Sequence, residues 1–312
     1  MVPSLKENHL VVLVGPTAVG KTEVAIKIAE VLKSGIISAD SRQFYKEIPV
    51  GTAHPSEEQL KRVKHYFIAN KSIFDYYNVF MFETDVLGLL KEIFNTFPIA
   101  LMTGGSGLYI DAVCNGIDDI PDVDPVVRAE LVNRMENEGV ESLRFELKRL
   151  DPVFYSEVDL RNKKRILRAL EVCISSGKPF SGFRTSLKRE RDFKIIKIGL
   201  YLERDILYER INRRVDTMIE DGLIDEARPF LELKKINTLN TVGYKELFDF
   251  FEGKTDMEAA VNLIKRNTRR FAKRQMTWFN RDKDIKWFNP EDSEDIIEYI
   301  RAKCGGKLFS QP

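Results

Sequence analysis

Residues 11–22 read VVLVGPTAVGKT, and no other run restricts the fold of this chain as tightly. The segment HLVVLVG is short and continuously apolar, as in a strand buried on both faces of a parallel sheet. Gly15, Pro16, Thr17, Ala18, Val19, Gly20, Lys21 and Thr22 then fit the phosphate-loop template of glycine, four free positions, and Gly-Lys-Thr. In KTEVAIKIAEVLKS, the apolar residues Val24, Ile28, Val31 and Leu32 recur at helical spacing, and Gly35 is the expected stop. Strand, glycine loop and helix form one physical unit. The glycines let backbone amides turn into a single concavity, the helix N-terminus adds partial positive charge, and Lys21 is placed to pair with phosphate oxygens. Thr22 is placed to ligate Mg²⁺. The loop specifies a di- or triphosphate without saying which.

Further apolar runs, GIISAD and PIALMTGG, predict a second and third strand, with a helix near FETDVLGLLKEIFNTF between them. This alternation predicts a parallel sheet covered by helices, an α/β fold of the P-loop NTPase kind. The pattern breaks in the Pro- and Asp-rich stretch 118–125, after which helical periodicity runs to about Ser176. FKIIKIGLYL, 193–202, reads as a return to the sheet, and DIKWF as a short last strand. The expected organisation is therefore a catalytic core of residues 1–119 and 193–312, interrupted by an all-helical domain of residues 120–192.

At 43% hydrophobic and 31% charged residues, the chain has the composition of a globular protein, not of a disordered or fibrous one. It has no apolar run near the roughly 20 residues a membrane helix needs, and its N-terminus lacks the features of a signal or transit peptide. Cys114, Cys173 and Cys304 have no metal-ligand spacing, so reduced thiols in a cytoplasmic protein are expected. The net charge of +1 hides a strong asymmetry. Residues 161–191 carry +8 and residues 265–286 carry +7, leaving −14 for the rest. Two such segments fit either a polyanion-binding surface or two solvated helix faces.

Ligands of open parallel sheets bind beyond the carboxyl ends of the strands, so Asp40, ending the second strand, is expected beside the phosphate loop. The alternative reading of Asp40 is a helix cap or a group that reaches Mg²⁺ through water. Thr103-Gly104-Gly105-Ser106-Gly107 arrives at the same edge, where Ser106 reads first as a turn residue.

The ordered set GPTAVGKT, IISADSRQFYKEIPVGTA, TGGSGLY, KKRILRALEV, RVDTMIEDGLIDEA, TVGYKEL and TRRFAKRQMTWF resembles the tRNA dimethylallyltransferase family, over about residues 9–288. The resemblance implies that the loop at residues 15–22 holds the diphosphate of dimethylallyl diphosphate with Mg²⁺, and that the ATP-binding association of such loops is an analogy of fold. It implies attack by an adenine amine on the prenyl carbon, with Asp40 as base and Lys21 and Ser106 in the catalytic set. Arg210 and Arg214 resemble arginines that close over a diphosphate.

For tRNA, the resemblance implies contacts by Asp40, Ser41, Arg42, Gln43, Ser106, Arg128, Lys164, Arg165, Ile166, Leu167 and Arg168. Arg161, Arg165 and Arg168 are spaced as one helix face, and Arg266, Arg270 and Arg274 repeat that spacing beside Phe271 and Trp278. Arg270 and Arg274 are thus further candidates for the anticodon stem-loop of tRNA. A monomer, with no membrane partner, is expected. Some positions depart from the family: Ser106 replaces a usual Thr, His54 replaces a common Lys, the segment around residues 76–90 matches poorly, and an arginine is shifted to Arg281. The rival readings are a P-loop nucleotide kinase, an adenylate prenyltransferase acting on free nucleotide, and a non-catalytic RNA-binding module. The basic segments count against the first two; intact Lys21, Thr22 and Asp40 count against the third.

Overall fold

The structure, a computed structural model, describes residues 7–185 and 188–305. The chain divides into two compact units, Met1–Asn115 with Glu190–Pro312, and Gly116–Arg189. The first unit is built on six strands: β1 (His9–Val14), β2 (Ile36–Ser38), β3 (His65–Tyr66), β4 (Ile99–Gly104), β5 (Lys194–Leu200) and β6 (Lys286–Phe288). They pair in parallel in the order β3-β2-β4-β1-β5-β6, with His9 in register with Ile99 on one side and Lys194 on the other.

All six residues of β1 are buried because this strand is central and covered on both faces. Its period of two divides the apolar run between two cores. Leu10, Val12 and Val14 pack with Phe82, Val86 and Leu90 of the helix Val79–Phe94. Val11 and Leu13 pack with Ile26 and Ile28 of the helix Lys21–Leu32, and with Leu207 and Ile211 of the helix Arg204–Glu220.

Two local expectations are corrected, and two elements go beyond them. The helix Lys21–Leu32 is ended by Lys33, left-handed at φ 52°, whose N–H donates to the carbonyls of Ala29 and Glu30. Gly35 serves another purpose: a Cβ there would lie 2.6 Å from the Tyr66 ring. Val31, counted with the apolar face, is exposed. The two-residue strand β3 is too short to leave a periodic signal, and a last helix, Ser293–Lys303, follows β6. None of the helices among the described residues is long and apolar enough to cross a membrane.

The second unit is helical: Pro125–Glu138, Val140–Leu150, Pro152–Glu157 and Lys163–Ser176 enclose Leu131, Leu143, Leu147, Phe154, Ile166 and Leu170. Its helix starts are set by side-chain caps, Asp124 on the Val126 amide, Asp151 on Phe154 and Asn162 on Arg165. The Asn162 cap corrects the arginine face. Arg161 precedes the helix and pairs with Asp159 at 3.3 Å, so only Arg165 and Arg168 of the three are helical.

The core unit is tied where the chain departs from it and returns. Arg191 donates to the carbonyls of Val113 (2.9 Å) and Ala112 (2.7 Å) and to Glu83 Oε1 (2.6 Å). Both partners of the ion pair are buried, so its geometry must replace lost hydration. Arg191→Met is expected to lower unfolding stability by about 3–5 kcal/mol, because the Glu83 charge stays buried without its cation. Adding Glu83→Leu should restore much of that loss. Denaturant titrations of the single and double variants check this, and a single variant as stable as the wild type would contradict it.

Candidate active site

Three loops meet at the carboxyl edge of the sheet because β1, β2 and β4 are adjacent and parallel. The first is the phosphate loop. Gly20, at φ 106°, is the N-cap of the helix Lys21–Leu32, a conformation that side chains oppose, and the helix amides therefore open toward the loop. Lys21 folds back, its Nζ donating to the carbonyls of Gly15 (3.0 Å) and Pro16 (2.7 Å). Thr22 follows, half-buried, at the start of the helix.

The second loop carries Asp40, whose Oδ1 accepts the Arg42 N–H at 3.1 Å and fixes a tight turn. The third loop joins it through Ser106, whose Oγ accepts the Ser41 N–H at 2.9 Å and lies 3.1 Å from Ser41 Oγ. Ser106 is thus the link that holds the Asp40 loop against β4, and a hydroxyl there has a structural task. Gln43 has its side-chain amide engaged inside the protein: Nε2 donates to the carbonyls of Thr52 (3.2 Å) and Ala53 (2.8 Å), and Oε1 accepts from Ser38 at 3.2 Å. Its side chain thereby anchors the turn before His54.

One residue connecting the loops escaped the sequence reading. Gln275, buried on the helix Met257–Phe279, accepts the Thr17 N–H at 2.8 Å and donates to the Gly105 carbonyl at 3.0 Å. A Cβ at Gly105 would lie 2.2 Å from Gln275 Nε2, which explains a glycine in the third loop. The only signal in the sequence was a polar residue on an otherwise apolar helix face.

The site is rich in confined cations. Burial pushes the Lys21 ammonium down from 10.5 to about 7, against the pull of the Asp40 carboxylate and with the help of Arg214. Burial likewise lowers the Arg214 guanidinium, and Asp40 opposes it. Arg214 has no hydrogen bond or ion pair among the described residues, whereas Arg210 reaches the Val19 carbonyl at 3.5 Å and Glu291 at 4.0 Å. A cavity of about 570 Å³ is lined by both arginines and His54 and by none of residues 15–22, and Arg210 links it to the phosphate loop through the Val19 carbonyl.

The residues expected at tRNA separate into two groups. Lys164, Arg165, Arg270 and Arg274 are exposed. Ile166 and Leu167 are corrected to core residues of the helical unit, because they fall on the face packed against its other helices. Arg128 pairs with the buried carboxylate of Glu171 at 2.8 Å and Arg168 lies 3.8 Å from it, so both are partly committed to structure. Burial raises the Glu171 carboxyl and the two arginines oppose that shift. Trp278 is half-buried, donating to Asp111 at 3.0 Å with Arg281 over its ring.

A family model described as IPP transferase matches residues 43–282. The chain belongs to the IPP transferase family. It is 53% identical over 293 residues to tRNA dimethylallyltransferase 2 of Parabacteroides distasonis, covering 94% of this chain and 98% of that one. It is 52% identical over 297 residues to tRNA dimethylallyltransferase of Christiangramia forsetii, covering 95% and 98%. The structure resembles the full-length tRNA isopentenylpyrophosphate transferase of Bacillus halodurans, with a TM-score of 0.70, 35% identity, and coverage of 96% and 98%. A eukaryotic dimethylallyltransferase acting on tRNA shares the fold at a TM-score of 0.75 and 23% identity, covering 95% and 77%. As a member of this family, the chain is a prenyl transferase, and the kinase reading has no support among these relatives.

Two outcomes are expected from this geometry. Gln275→Met should leave the Thr17 amide and the Gly105 carbonyl unpaired, costing about 1–3 kcal/mol for each buried group left unsatisfied, and should weaken diphosphate binding; thermal unfolding and calorimetric titration check both. The lowered Lys21 value also has a signed consequence. Between about pH 7 and 10.5 the unfolded chain holds a proton that folded Lys21 has lost, so this residue adds stability as pH rises through that window. A bound anion restores the charge. Diphosphate binding at about pH 8.5 should therefore take up a proton at Lys21, detectable by calorimetry in buffers of different ionisation enthalpy and absent in Lys21→Ala.

Proposed function

We propose that this protein transfers a dimethylallyl group from dimethylallyl diphosphate to the exocyclic amine of the adenosine adjacent to the anticodon of tRNA, releasing diphosphate, in the cytoplasm. The observation that carries this reading is the placement of Asp40. It is a half-buried carboxylate at the sheet edge that carries the phosphate loop, and its charge acts on Lys21, Arg214 and His54. Residues of the phosphate loop, with Arg210 and Arg214, bind the diphosphate of the donor. Asp40 takes the proton of the attacking amine, whose lone pair is otherwise delocalised into the ring. Lys21 and the loop amides stabilise the charge that builds on the leaving diphosphate.

The donor set suits Mg²⁺ held largely by substrate. Among the described residues no group of three His, Cys, Asp or Glu could hold a metal ion, and Thr22 offers one neutral oxygen. That is the pattern for a small hard cation that keeps phosphate oxygens and water as its main ligands. Mg²⁺ bound there would add positive charge beside the leaving group.

The target base must leave its stack to reach Asp40, at a cost of a few kcal/mol. Exposed Lys164, Arg165, Arg270 and Arg274 would engage phosphates of the anticodon stem-loop, which favours tRNA over a free nucleotide as acceptor. Asp40→Asn keeps an oxygen that accepts the Arg42 amide, so folding and substrate binding should persist while the single-turnover rate falls by about 10²–10⁴. Incubation with dimethylallyl diphosphate, unmodified tRNA, AMP and ATP is the companion measurement. Diphosphate release and prenylated tRNA are expected. Stoichiometric ADP, or prenylation of AMP alone, would overturn the reading.

A further inference from the structure

We propose that His54 is a further positioning residue of the diphosphate site, a side chain that takes up a proton when the anion enters the cavity it shares with Arg210 and Arg214. This rests on the diphosphate reading of that site. His54 forms part of the wall of the cavity of about 570 Å³, together with Arg210, Arg213, Arg214 and Asp221. Its Nε2 is buried and has no hydrogen-bond partner among the described residues. A buried polar nitrogen on a cavity wall, without a protein partner, is placed for a ligand atom.

The backbone holds the ring in place independently. The His54 N–H donates to the Pro49 carbonyl at 3.0 Å, and the preceding Ala53 is left-handed at φ 47°. Gln43 fastens the carbonyls of Thr52 and Ala53, and Glu226 accepts the amides of Val50 (2.7 Å) and Gly51 (2.8 Å). A turn held from both ends presents its side chain with little loss of freedom on binding.

The charges facing the imidazole explain why it is a switch and not a fixed cation. Arg210, Arg213 and Arg214 on the helix Arg204–Glu220, and Asp221 just past its end, line the same cavity, and Asp40 acts on the imidazole from the loop after β2. Burial lowers its pKa below the usual 6.5, and Asp40 only partly opposes this. At neutral pH the ring is therefore uncharged while the cavity lacks an anion, which limits repulsion among the arginines. A diphosphate brought within reach of Nε2 raises the proton affinity of the ring, and the proton comes from solvent. The charged imidazole then donates a charge-assisted hydrogen bond to the anion.

The test measures inorganic pyrophosphate binding with Mg²⁺ by the full chain from about pH 5.5 to 8.5. Wild type is compared with His54→Gln and His54→Lys, with Lys21→Ala as the control for the site. Titration of pyrophosphate and of Lys21 is common to the His54 series and cancels in the ratios. Wild type should bind about tenfold more tightly than His54→Gln at the acid end, as expected for one charge-assisted hydrogen bond worth roughly 1.5 kcal/mol. The ratio should fall toward one by about pH 8, while His54→Lys should keep its advantage over Gln across the range. A wild-type to Gln ratio independent of pH overturns the proposal for His54 and leaves the diphosphate site intact. Absence of pyrophosphate binding by wild type, or binding unaffected by Lys21→Ala, overturns the diphosphate reading itself and the proposal with it.

Discussion

Two hydrogen bonds made by one amide set the working geometry of this protein. Gln275 accepts from Thr17 in the phosphate loop and donates to Gly105 in the loop that carries Ser106. Ser106 in turn holds the Asp40 loop through the Ser41 amide. The anion cradle and the carboxylate are therefore connected by a short chain of polar contacts, not merely by lying on neighbouring strands. An amide suits the task because it offers a donor and an acceptor in one rigid plane, so both loops are fixed at a set separation. A backbone error of an ångström at such a site costs far more in rate than in stability.

The same edge of the sheet concentrates cationic side chains that the protein itself neutralises only in part. Asp40 is the carboxylate that acts on Lys21, Arg214 and His54 together, while burial disfavours the charged form of each. This arrangement is costly when empty and becomes favourable with a multiply charged anion in place. The fold can hold it because the two apolar cores on either side of β1 supply the stability that the site withholds. Function here is carried by a locally unfavourable cluster on a strongly favourable scaffold.

What could be read from the sequence follows from how local each signal is. The phosphate loop and its flanking strand and helix are contiguous, so residues 9–32 announced both the fold class and the anion site. Gln275 sits 258 residues from its partner Thr17, and nothing local marks such a contact. Spacing put Arg161 on a helix, but the cap at Asn162 starts that helix two residues too late to include it. Ile166 and Leu167 lie in a matched segment that holds both exposed and buried positions, and a segment match does not distinguish them. Glycine after a helix is often its stop, whereas Gly35 is required by the ring of Tyr66 on β3.

Arg191 has one more consequence, concerning how such a chain can change over time. The chain leaves the first unit after Asn115 and rejoins it at Glu190, and the guanidinium of Arg191 binds the carbonyls of Ala112 and Val113 across that gap. The two stems are thus held within the reach of one side chain. A loop whose ends are already held adds entropy only logarithmically with its length, about 0.6 kcal/mol for each doubling. The inserted segment is therefore free to lengthen, shorten or be exchanged with little effect on the sheet of the first unit. A lineage built on this clamp could refine or replace its second unit while inheriting the reaction centre unchanged.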